Sequence, residues 1–165
     1  MSKRGVATPA LTELTRAGVR YVAHDFEHVD GERNFGLAAA DALGVEPAQV
    51  FKTLVATVDG GSGAIVGIVP VDRQLSVKAL AAAVGAKRAE LAAPDVAERL
   101  TGYVVGGISP FGQKRRWPTV LDDSASGFAT IFVSGGRRGL DVELAPDALV
   151  RVLGAQLAPL AAPGR

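Results

Sequence analysis

Apolar residues along this chain fall into short runs, and glycine or proline closes most of them. Thr8-Pro9 has the form of a helix start, with Thr8 as N-cap and Pro9 in the first turn, and Gly18 is the stop. Residues 19–26 read as a strand. Residues 35–43 form an alanine-rich helical stretch closed by Gly44, and Pro47 opens another short turn. Residues 51–58 and 64–71 read as two strands joined by Asp59-Gly60-Gly61-Ser62-Gly63. That loop precedes no helix and lacks the lysine of a Walker motif, so a hairpin loop is expected rather than a phosphate loop.

Further along, Ser76 caps a helix over residues 77–84, stopped by Gly85. Pro94 starts another that runs to about residue 100, with Gly102 after it. Tyr103-Val104-Val105 reads as a strand entering Gly106-Gly107, and Val120-Leu121 as the start of another. Residues 129–134 and 140–144 form a second hairpin around Gly135-Gly136-Arg137-Arg138-Gly139. Residues 146–153 are the last helix, and the proline-broken stretch 155–165 is expected to be a loose tail. Hairpins require antiparallel pairing, which argues against a doubly wound parallel sheet. The expectation is an α+β fold: one domain over residues 1–165, with a curved, mixed or mostly antiparallel sheet and helices packed outside it.

A chain of 165 residues can bury a substantial core, and its 48% apolar and 21% charged content is near the globular average. Aromatics are only 5%, so the core must be built mainly from Ala, Val and Leu. There is no cysteine, which removes disulfides, thiolate metal sites and a protein thiol nucleophile. Met1-Ser2-Lys3-Arg4 is not followed by an apolar stretch of signal-peptide type, and no uncharged run reaches the roughly 20 residues that span a bilayer. A cytoplasmic protein is expected. The net charge of +1 does not mark a nucleic-acid binder. Two basic clusters, Lys114-Arg115-Arg116 and Arg137-Arg138, nonetheless sit beside glycine turns, either as solvated loop charges or as phosphate contacts.

The richest stretch for chemistry is Gly106-Gly107-Ile108-Ser109-Pro110-Phe111-Gly112-Gln113-Lys114. Glycines allow positive φ and close approach to the backbone, so such a loop can aim N–H groups at an oxyanion or phosphate. His24 and His28, four apart, could belong to a zinc site, but no strong third ligand is placed by sequence; two surface histidines are the default. Ser109 and Ser134 sit at glycine turns, yet neither lies in a Gly-x-Ser-x-Gly elbow. Lys52 opens an otherwise apolar strand, and Asp141 stands early in another; each is either solvated or functional.

These segments together resemble the YbaK family of the prolyl-tRNA synthetase editing-domain superfamily, free-standing aminoacyl-tRNA deacylases. The resemblance runs through nearly the whole chain, from Thr8-Pro9-Ala10 and the Phe51-Lys52-Thr53-Leu54 stretch to Gly106–Lys114 and Val133-Ser134-Gly135-Gly136. It implies a mixed-sheet, partly barrel-like fold with flanking helices. It implies cleavage of a mischarged ester at the 3′ end of tRNA, with the Cys-tRNA(Pro) deacylases as the most similar branch. In that branch the substrate's own thiol is thought to attack its ester carbonyl, so no protein nucleophile, metal or cofactor is needed.

By resemblance, Lys52 matches the family lysine and Gly106 to Pro110 its Gly-x-x-x-Pro loop. Phe35 matches the pocket aromatic, and Ser134 and Asp141 the pocket serine and aspartate. Where relatives carry Tyr, this chain has Phe26, without the hydroxyl. The implied catalytic set is Lys52, Gly106, Gly107, Ser109 and Asp141; Phe26, Phe35, Ile108, Pro110 and Ser134 would line the substrate pocket. Lys114, Arg115, Arg116, Arg137 and Arg138 would meet tRNA phosphates. The family further suggests a transient complex with prolyl-tRNA synthetase. An editor of Ala- or Ser-tRNA, and a non-catalytic binder of tRNA or another phosphorylated ligand, stand as alternatives.

Overall fold

Local capping fixes the helix starts in the computed structural model, which describes residues 7–28, 31, 34–60 and 63–162. Thr8 accepts a hydrogen bond from the Leu11 amide and starts α1 (Pro9–Arg16). Asn34 does the same for α2 (Phe35–Leu43), and Ser76 for α3 (Val77–Val84). Proline in the first turn starts α4 (Pro94–Thr101) and α5 (Pro146–Leu153). Gly44, Gly85, Gly102 and Gly154 end α2 to α5 in the left-handed conformation, as helix-terminating glycines do.

The strands make two open sheets. The larger has the order β4 (Ala89–Leu91), β2 (Phe51–Val58), β3 (Gly63–Pro70), β5 (Thr119–Asp122), β8 (Gln156–Ala158). Its first two pairings are antiparallel and its last two parallel. The smaller is antiparallel, in the order β1 (Val22–Asp25), β7 (Leu140–Leu144), β6 (Ile131–Arg137). A bridge between Val50 and Phe132 ties the two together without closing a barrel. The main core lies between them, where Phe51, Ile68, Leu121, Ile131, Val142 and Leu149 pack with Leu14 of α1. The α+β class and both hairpins therefore agree with the sequence expectation.

Several local expectations are corrected. Tyr103-Val104-Val105 is not a strand. It is an irregular turn after α4, in which Tyr103 is buried and Val104 is 52% exposed. The residues expected as the second hairpin's loop are mostly strand. β6 continues to Arg137 through a bulge after Ser134, and only Arg138-Gly139 make the turn. The first strand is shorter than expected, and β4 was not foreseen.

The stretch 155–162 is held, not loose. β8 pairs with β5, Leu160 is fully buried, and the Asp122 carboxylate accepts from the Leu160 and Ala161 amides at 2.7 and 2.9 Å. Residues 163–165, like the N-terminal Met1-Ser2-Lys3-Arg4, lie outside the described residues.

Candidate functional site

Strand alternation sets one wall of a cavity of about 660 Å³. Asp141 on β7 lies directly opposite Ser134 on β6 and His24 on β1, so the three side chains share one sheet face. Asp141 is only 6% exposed, and no hydrogen-bond donor reaches its carboxylate among the described residues. Burial pushes its pKa up to about 6, against a smaller opposing effect of His24. His24 itself is 2.9 Å from Glu143 Oε1, and its ring lies 5.3 Å from that of Phe132. Glu143 also accepts from Thr130 Oγ1 at 2.6 Å; that bond above all holds its carboxyl below the ordinary range.

Strand β2 supplies the facing wall. Lys52 is half-buried there, and burial lowers its pKa while Asp72 acts the other way. Beside it, Thr53 has a buried hydroxyl with no partner among the described residues. Helix α2 contributes Phe35, whose ring carries the Arg138 guanidinium 4.7 Å from its centre. Arg138 Nε also donates to the Val105 carbonyl at 2.9 Å.

The glycine loop closes the cavity, and its two glycines are explained by close approach. A Cβ on Gly106, whose φ is +92°, would come within 2.9 Å of the Phe35 ring and of Arg138 Nε. A Cβ on Gly107 would come within 2.8 Å of the Arg137 backbone. The loop is tied from both sides. Tyr103 donates to the Phe111 carbonyl at 2.6 Å, the Gly112 amide donates to Glu13 at 2.6 Å, and the Val105 amide to Glu98 at 2.8 Å. Phe111 is fully buried in the main core and anchors the segment.

The expected residues divide accordingly. Phe26, Phe35, Lys52, Gly106, Ile108, Ser134, Arg138 and Asp141 all line the cavity. Gly107, Ser109 and Pro110 do not; they form the buried inner side of the loop. The Gly107 amide is committed to the Val104 carbonyl at 2.8 Å, and Ser109 Oγ accepts from the Phe111 amide. The Gly106, Ile108 and Ser109 amides donate to nothing among the described residues, and of these three residues Gly106 and Ile108 line the cavity.

The other basic residues lie away from the cavity lining. Arg137 pairs with Asp25 at 2.6 Å, Arg116 pairs with Glu13, and Arg115 stacks over Trp117. The Lys114 stem packs against Gly102. His24 was foreseen only as a candidate ligand or surface residue. Its place opposite Asp141 has no local signal, because β1 and β7 meet only in the folded sheet. Among the described residues no group of three His, Cys, Asp or Glu side chains is placed to hold a metal ion.

Among the described residues no serine is hydrogen-bonded to a histidine: Ser134 Oγ accepts from the Gly136 amide, and His24 is engaged with Glu143. The cavity can instead hold a substrate between an apolar wall, a cation, a buried carboxyl group and free backbone donors. Residues 37–152 match the family model of the aminoacyl-tRNA editing domain, and the chain belongs to that family. It is 36% identical over 157 residues to a protein of Enterococcus faecalis named "Putative Cys-tRNA(Pro)/Cys-tRNA(Cys) deacylase EbsC", covering 93% of this chain and 92% of that one.

Solved structures agree on the fold. One, described as "a putative trans-editing enzyme for prolyl tRNA synthetase", superposes with a TM-score of 0.80 at 25% identity, over 96% of this chain and 100% of the other. Another, the hypothetical protein APE2540, gives 0.84 at 24% identity, over 93% and 99% of the two chains. Among the described residues no helix is long and apolar enough to cross a membrane.

Proposed function

We propose that this chain is a free-standing deacylase that removes the amino acid from mischarged aminoacyl-tRNA, with Cys-tRNA(Pro) as its substrate. The observation that carries this reading is that Lys52, Asp141, Gly106 and Ile108 line one cavity, the two loop amides having no acceptor and no nucleophile–base pair being formed among the described residues. Such a site can position and stabilise, and it leaves the attack to the substrate. The EbsC relative's name points to the same ester.

In the proposed reaction the cysteinyl sulfur attacks its own ester carbonyl. A C–S bond forms, the C–O bond to the terminal ribose breaks, and the thiol proton ends on the departing ribose oxygen. The products are a thiolactone and free tRNA. Oriented intramolecular attack is worth roughly 7–11 kcal/mol. An amide donor on the developing oxyanion adds about 3–4 kcal/mol, the role given to Gly106 and Ile108. Lys52 stabilises the same charge or holds the terminal ribose and phosphate.

Asp141, ionised near neutral pH, takes the substrate ammonium, and Ser134 helps fix it. Phe26 and Phe35 cover the small side chain, and Arg138 at the mouth meets the last phosphates. Lys114, Arg115, Arg116 and Arg137 serve only RNA beyond the ester. Prolyl-tRNA synthetase, in a transient complex in the cytoplasm, supplies the choice of tRNA. The test is tRNA(Pro) charged in turn with Cys, Ala, Ser or Pro, followed for loss of each ester. Rapid loss of Cys alone is expected. Preferred loss of Ala or Ser moves the specificity, and intact esters throughout reject the reading.

A further inference from the structure

A second concavity, of about 1010 Å³, opens where α1, the end of the glycine loop and the end of α5 meet. Arg16, Arg116 and Arg151 line it, against one carboxylate, Glu13. That is a local charge of +2 in a chain whose whole sum is +1. Glu13 is already used inside the protein: it accepts from the Gly112 amide and from Arg116 Nη2. Arg116 is fixed as well, because Nη1 donates to the Val152 carbonyl at 2.9 Å. The guanidinium groups of Arg16 and Arg151 are exposed and have no partner among the described residues.

Each of these two arginines sits in the last turn of its helix, where the macrodipole favours a cation. That accounts for each one separately. It does not account for two helix ends delivering free guanidinium groups to one cleft, beside a third arginine held rigid. One loop contributes residues to this cleft and to the first cavity. Gly106 and Ile108 line one side and Gly112 the other, and the loop between them spans at most ~20 Å.

We propose that this second cleft binds phosphodiester groups of the tRNA acceptor end through Arg16 and Arg151, upstream of the ester. The proposal rests on the reading that the ester enters the first cavity. Guanidinium forks match phosphate oxygens in geometry and carry no base information. The cleft therefore contributes affinity for any acceptor end, and identity comes from elsewhere.

The test uses the full chain and two double variants, Arg16→Gln with Arg151→Gln and Arg16→Glu with Arg151→Glu. The first probe is an uncharged acceptor-stem minihelix RNA, titrated at several salt concentrations. The second is a short cysteinyl ester that ends at the terminal adenosine. The glutamine pair should weaken the minihelix by about tenfold or more. It should also flatten the log Kd against log salt slope by about 1.4, two contacts at roughly 0.7 each for single-stranded RNA. Turnover of the short ester should not change.

Unchanged minihelix affinity and slope overturn the proposal, as does equal loss on both probes, which marks a structural role. Loss of an acidic protein partner with RNA affinity intact overturns it too. If the wild type binds the minihelix through these arginines but cleaves no ester, the cleft stands and the deacylase reading fails.

Discussion

His24 and Asp141 stand directly opposite one another across β1 and β7, and Asp141 is the more deeply buried of the two. A carboxyl group without a hydrogen-bond donor in such a place resists ionisation, and its pKa rises from 3.8 to about 6. The folded state therefore holds this proton more tightly than the unfolded chain. The stability that it contributes is greatest in acid and is lost as pH climbs from about 4 through 6. Asp141→Asn should raise stability at pH 7 by as much as roughly 3 kcal/mol, with the gain vanishing below about pH 4. Thermal melts across that range check it. The same variant should lose deacylation, and the wild-type rate should fall in acid with a midpoint near 6.

Lys52 is held half-buried in the cavity with its ammonium partly stripped of water. Such a group costs stability, and in the proposed reaction it meets a developing negative charge. Lys52→Met keeps most of the apolar stem and removes the charge. It should leave the fold intact by circular dichroism and lower kcat/KM by about 10²–10³, the scale of one lost oxyanion donor. Deacylation at the wild-type rate would remove Lys52 from the mechanism.

Gly106 and Phe35 are in such close approach that even a methyl group does not fit between them. Gly106→Ala adds that clash to the strain of a non-glycine residue at a φ of +92°. The change should cost on the order of 1–3 kcal/mol. Combining it with Phe35→Ala should return part of that loss, because the ring is one of the two groups struck. Strictly additive losses in a double-mutant cycle would contradict the proposed packing.

Tyr103 and Phe111 hold the two ends of the glycine loop together through one buried hydrogen bond. Tyr103→Phe leaves the Phe111 carbonyl without its donor. A cost of about 1–3 kcal/mol is expected, seen as a fall in Tm of several degrees. Deacylation should suffer beyond the loss of folded protein, since the loop amides would no longer be fixed. An unchanged Tm would show that the loop is ordered by other contacts.

The parts of this fold that were legible in the sequence are those that short-range chemistry decides. Thr8, Ser76 and the terminating glycines Gly44 and Gly85 act within a turn of their own helices, and both hairpins announce themselves by glycine between apolar runs. Tyr103-Val104-Val105 misled because β-branched, apolar residues fit a strand, whereas here Tyr103 is drawn inward to serve the Phe111 carbonyl. The segment 155–162 misled for the opposite reason. Its order comes from β5 and the Asp122 carboxylate, which are distant in sequence, and no local pattern encodes them. The glycine pair was legible as special, but its main reason is close packing on Phe35 and Arg137; of the cavity-lining loop residues, Gly106 and Ile108 keep amides without an acceptor among the described residues. Lys52, Ser134 and Asp141 stand out by position in the sequence and take their roles from family resemblance, and their shared cavity became visible only in the folded chain.

The most direct test of the central claim is single-turnover cleavage of Cys-tRNA(Pro) by the pure protein, with the released amino acid identified chemically. The account predicts rapid loss of the ester with thiolactone as the first product, and little cleavage of Ser-tRNA(Pro), which differs by one atom at the attacking position. Intact Cys-tRNA(Pro), with or without prolyl-tRNA synthetase present, would contradict it.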